Sequence, residues 1–101
     1  MQHPVLVFAV VEGSEVDSGT VLSAVEQLAR QSRLEAGCVR YDLYRSQKAP
    51  VLVIIHETWV SEQALQAHRG SLHIERFKAE IGNTTASVWA SQCKPATEGD
   101  D

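Results

Sequence analysis

Residues 51–60 read VLVIIHETWV, and how this stretch is read decides the fold. It has strand length and is rich in β-branched side chains. Alternation puts Val51, Val53, Ile55, Glu57 and Trp59 on one face and Leu52, Ile54, His56, Thr58 and Val60 on the other. Both faces are apolar over the first half. Such a strand belongs in the middle of a sheet with cover on both sides.

On the N-terminal side, residues 46–50 form a turn, and residues 38–45 a strand with Val39, Tyr41 and Leu43 on one face and Arg40, Asp42 and Tyr44 on the other. Gly37 before it offers a left-handed conformation to close a helix or a turn. That helix is capped by Asp17 or Ser18. It carries Val21, Leu22, Val25, Leu28 and Ala29 at three-and-four spacing, with Arg30 and Arg33 suited to the dipole at its end. Residues 5–11, VLVFAVV, make a first strand that is again apolar on both faces.

On the C-terminal side, Ser61 caps a helix with Ala64, Leu65 and His68 on one side. Gly70-Ser71 interrupts it, and Ser71 caps a continuation with Ile74, Phe77 and Ile81 inward. Residues 86–93 form a last strand with Val88 and Trp89 buried. The order is β-α-β-β-α-β, an α+β ferredoxin-like unit with a four-stranded antiparallel sheet. One domain over residues 1–93 and a polar, frayed tail over 94–101 are expected. Two helices cover only one face of such a sheet, and the first and third strands are apolar on both. The simplest cover for the other face is a second copy, giving a homodimer through the sheet face.

The 101 residues suffice for one domain, with a mild net charge of -4 and no basic footprint for nucleic acid. No segment reaches the roughly 18 unbroken apolar residues of a membrane span. Met1-Gln2-His3-Pro4 lacks the basic start of a signal peptide, so cytoplasmic residence is expected and the sequon Asn83-Thr84-Thr85 should be idle. Cys38 and Cys93 are read as reduced packing residues. The chain has no CxxC, no GxSxG and no Gly-rich phosphate loop.

Glu57 interrupts an apolar face, so it either reaches water at the strand end or serves as a pocket acid or base beside Trp59. Tyr41 shares the parity of the buried face and reads first as core, as does Trp59. His68 sits one turn after Leu65 on the sheet-facing side, where packing and catalysis are both open readings. His73 falls in the first turn of the continued helix, where it could cap it or line a cavity mouth. His68 and His73 are five apart across a break, so spacing gives no metal constellation.

Three stretches carry a family resemblance. They are Glu35-Ala36-Gly37-Cys38-Val39-Arg40-Tyr41, then Glu57-Thr58-Trp59 running to Ala64-Leu65-Gln66-Ala67-His68, then Ser71-Leu72-His73-Ile74-Glu75-Arg76-Phe77. This pattern resembles the antibiotic biosynthesis monooxygenase domain, with its E-P-G-C-x-x-Y, E-x-W-x-x-x-x-A-L-x-x-H and S-x-H-F-x-x-F motifs. Ala36 replaces the usual Pro, and Ile74 the aromatic residue after the second His.

The resemblance implies a dimeric α+β barrel with a pocket between sheet and helices in each subunit. It implies a cofactor-independent monooxygenase for a small quinol or phenolic substrate, with no cofactor and no metal. The suitable catalytic residues are Glu57, His68 and Tyr41; Trp59, His73 and Phe77 suit substrate binding. The haem-degrading branch needs an Asn in the first strand, which VLVFAVV lacks. The first strand also lacks the polar residues that many catalytic members direct into the pocket, so a non-catalytic small-molecule-binding module is one alternative; a non-oxidative isomerase of the same family is the other.

Overall fold

The structure, a computed structural model, describes residues 3–97. Its elements are β1 (Val5–Gly13), a short 3₁₀ turn (Glu15–Asp17), α1 (Ser18–Arg33), β2 (Cys38–Arg45), β3 (Val51–Trp59), α2 (Glu62–Arg69), α3 (Leu72–Gly82) and β4 (Ser87–Cys93). All strand pairs are antiparallel, in the order β2-β3-β1-β4, so the expected ferredoxin-like topology is present. Residues 98–101 of the expected tail lie outside the described residues. No helix among the described residues is long and apolar enough to cross a membrane.

The two strands with apolar residues on both faces, β1 and β3, are the central pair. Their odd-numbered side chains, from Val5 to Val11 and from Val51 to Trp59, are all buried under the helices. Val21, Val25 and Leu28 of α1, Leu65 of α2, and Phe77 and Ile81 of α3 close the core from above. Ser61 and Ser71 cap α2 and α3 as read, accepting from the amides of Ala64 and Ile74.

Several local expectations are corrected. A bulge between Cys38 and Arg40 adds one residue to β2 against β3. The bulge turns Val39 out to solvent, while Tyr41 keeps its inward place opposite Glu57. Asp17 stands at the N-cap of α1 without bonding to that helix; its carboxylate accepts instead from the Thr85 amide and hydroxyl. Gly37 does not take the left-handed conformation, and α1 closes at Leu34. Glycine is needed there because a Cβ would meet the Cβ of Ala64 on α2.

Val88 and Trp89 are not buried; they are 43% and 58% exposed. β4 is an edge strand, and the helices leave its surface uncovered. The sheet face away from the helices presents an apolar cross-strand row, Tyr44–Ile54–Val10–Trp89. Next to it Phe8 and His56 stack, with ring centres 4.7 Å apart.

Candidate functional site

Register fixes the centre of the site. Tyr41 of β2 and Val7 of β1 flank Glu57 of β3 on the helix-facing side of the sheet. Glu57 does not reach water: it is 4% exposed. Its Oε1 accepts the indole N–H of Trp59 at 3.0 Å. Trp59 is fully buried and packs on the His68 ring at 4.4 Å between centres. Tyr41 approaches that imidazole at 5.9 Å and the indole edge-on at 6.4 Å. A carboxylate and an imidazole are thus enclosed by two aromatic walls.

His68 is carried here by the last turn of α2. The Ser71 hydroxyl that caps α3 also donates to the His68 carbonyl at 2.7 Å, which fixes the joint between the two helices. Behind the imidazole stands Glu35, in the turn after α1. Its Oε2 accepts from His68 Nδ1 at 2.7 Å and from His73 Nε2 at 2.8 Å. A carboxylate oxygen only accepts, so in neutral His68 the proton is on Nδ1 and Nε2 keeps its lone pair. Nε2 lies on the other side of the ring, 3.9 Å from Glu57 Oε1.

Burial dominates the electrostatics. It pushes the Glu57 carboxyl up, against the lowering effect of the Trp59 bond and Arg69. It pushes the His68 imidazole down, against the Glu35 bond and charge that favour its cation. It also raises the Tyr41 phenol well above the ordinary tyrosine range, with the Glu57 charge adding to the effect. Burial thus works against the charged form of all three groups. Ser32 near the Tyr41 hydroxyl works the other way, and among the described residues the buried Ser32 Oγ has no hydrogen-bond partner within bonding geometry.

Between this end of the sheet and α3 lies a cavity of ≈ 630 Å³. That is within the roughly 300–1,000 Å³ of ligand pockets. Glu57, His68 and Tyr41 form its polar end; Ala9, Ile55, Phe77 and Val88 line its apolar length, and Arg69 and Lys78 also border it. Of the residues singled out in the sequence, Glu57, His68, Tyr41 and Phe77 line this cavity. Trp59 stands behind Glu57 and His68, and His73 turns away to Glu35. Glu35 was missed as a site residue, although it opens the first of the three motifs. No sequence spacing links it to histidines 33 and 38 residues away.

The family profile described as "Antibiotic biosynthesis monooxygenase" matches residues 4–80. "Putative monooxygenase Rv0793" of Mycobacterium tuberculosis is 33% identical over 82 residues, spanning 81% of this chain and 80% of that protein. The solved structure of Rv0793 superposes with a TM-score of 0.83 at 28% identity, covering 96% of this chain and 99% of that one. The crystal structure of PA3566 from Pseudomonas aeruginosa gives 0.85 at 25% identity, covering 96% and 98%. The three motifs, the sheet order and the profile match agree, and this chain belongs to the antibiotic biosynthesis monooxygenase family.

Proposed function

We propose that the protein is a cofactor-independent monooxygenase acting on a small quinol or phenolic substrate in the cavity between sheet and helices. The observation that carries this reading is the 2.7 Å contact between His68 Nδ1 and Glu35 Oε2. With Nδ1–H held by Glu35, Nε2 is free to take a proton from a hydroxyl entering the polar end of the cavity. The phenolate so formed supplies the electrons to oxygen, and the neutral Tyr41 hydroxyl is a donor for the oxyanion. In an anthrone-like case a methylene becomes a carbonyl, and both hydrogens leave in water with the second oxygen atom. Glu57, whose carboxyl burial pushes up, is the group from which a proton returns to reduced oxygen. Phe77 supplies an apolar wall of the cavity, and Trp59, packed behind Glu57 and His68, keeps water away from their far side.

The same reading includes a two-fold dimer built on the opposite sheet face. The exposed row through Tyr44, Ile54 and Trp89 supports it, because an apolar strip of that kind is costly to leave in water. Pairing there leaves the cavity side free.

The test is oxygen uptake by EDTA-treated protein with a panel of reduced quinones and anthrone-like phenols. Uptake is expected with at least one class, and His68→Ala should lower kcat by roughly 10²–10⁴-fold. Glu57→Gln keeps an acceptor for the Trp59 N–H, so it should leave the fold intact while slowing turnover. Absence of uptake across the panel by folded protein would sink the proposal. Substrate conversion without oxygen would move the site to the isomerase reading, since the Glu57–His68 pair is also an acid–base pair. Binding without turnover in any variant would mark a non-catalytic module.

A further inference from the structure

His73 has no part in the cavity chemistry, yet it is aimed at the same carboxylate oxygen as His68. Glu35 Oε2, His68 Nδ1 and His73 Nε2 come from three separate segments, and the donor atoms of these residues lie within 4.8 Å of one another. We propose that Glu35, His68 and His73 form a binding site for a divalent transition-metal ion of the zinc class, on the side of His68 away from the cavity.

The donor set is one carboxylate oxygen and two imidazole nitrogens. Such a set suits zinc, cobalt, nickel or copper and not magnesium or calcium, which take oxygen ligands. Donor atoms about 2.0–2.1 Å from a tetrahedral ion lie roughly 3.3 Å apart. The two contacts at 2.7 and 2.8 Å must therefore open by about half an ångström. The Glu35 and His73 side chains, 19% and 18% exposed, have room for that, and the same exposure leaves a fourth position open to water.

The backbone beneath the donors is already fixed. The Glu35 amide bonds to the Ser32 carbonyl at 3.1 Å, and its own carbonyl accepts from the Cys38 amide at 3.0 Å. Ser71 clamps the His68 carbonyl and caps the helix bearing His73. Glu57 Oε1 lies 3.9 Å from Nε2 on the far side of the His68 ring and would have to close in to accept from an Nε2–H and orient a metal-bound histidine. Arg69 is a nearby cation whose charge opposes added positive charge at His68. An ion on Nδ1 would shift the His68 proton to Nε2 and turn the acceptor facing the cavity into a donor. That last consequence rests on the reading of His68 as base; the binding itself does not.

The test is titration of EDTA-treated full-length protein with Zn²⁺ by calorimetry and with Co²⁺ by visible absorption. One ion per chain is expected, with a Co²⁺ d–d band and no thiolate charge-transfer band. His73→Ala and Glu35→Gln should each weaken Zn²⁺ binding by at least about tenfold with the fold verified by circular dichroism. Cys38→Ser should leave binding unchanged. Unaltered affinity in either ligand variant, a loss in Cys38→Ser, or no uptake of either ion would overturn the proposal. Because the readout is binding, it stands or falls apart from any failure of oxygen uptake.

Discussion

Gly37 is the residue where one added carbon would be felt at the site. Its carbonyl accepts from the Val60 amide at 2.9 Å, closing the turn after α1 onto the end of β3. A Cβ would run into Ala64, one turn before His68 on the same helix. Gly37→Ala should cost about 1–3 kcal/mol, read as a lower denaturation midpoint. It should also loosen His68 from Glu35, seen as a changed imidazole nitrogen spectrum. The glycine was legible in the sequence, but its reason was not. Helix-end chemistry suggests a left-handed turn, whereas packing of two segments 27 residues apart sets the requirement. Glu57 is the converse case: its odd placement on an apolar strand face was visible at once. Whether it met water or a partner depended on Trp59 and on the helix above.

At the scale of elements, the entry to α1 and the start of β4 are held by Asp17 and Thr85. The Asp17 carboxylate accepts from the Thr85 amide at 2.9 Å and from its hydroxyl at 2.7 Å. These bonds hold the Asp17 carboxyl below its ordinary value of 3.8. A carboxyl lowered in the folded state stabilises the fold above its unfolded value and loses that contribution as pH falls through the folded value. Asp17→Ala should therefore lower the melting temperature near neutral pH. The gap to wild type should close as pH drops below the ordinary value of 3.8, and a gap constant with pH would refute the assignment. Periodicity and serine caps located the helices and the break between α2 and α3. They could not show that Asp17 bonds away from its own helix, nor that a bulge in β2 turns the Val39 side chain to solvent. Both depend on a neighbouring segment distant in sequence.

At the scale of the whole molecule, the sheet face opposite the helices carries the proposed dimer. Ile54 sits in the middle of its apolar row, paired with Tyr44 and Val10. Sedimentation equilibrium should find two chains for the wild type at micromolar concentration. Ile54→Glu should weaken association by roughly 100-fold, because two carboxylates would be buried without partners. The cavity and cavity-lining residues on the other face should be unaffected by that change. A monomeric wild type would refute the pairing.

The sequence by itself determined the α+β topology, the central place of β1 and β3, the buried face of each, and the three motifs that carry the family. These follow from alternation, three-and-four spacing and capping, all of which act within a few residues. Tertiary structure alone decided what Glu57 bonds to and which nitrogen of His68 keeps its lone pair. It alone brought Glu35 to the two histidines and left β4 uncovered. The Glu57–Trp59 bond spans only two residues, whereas joining Glu35 to His68 and His73 spans 33 and 38, with side chains from separate elements converging on one carboxylate. No local pattern records which of them meet.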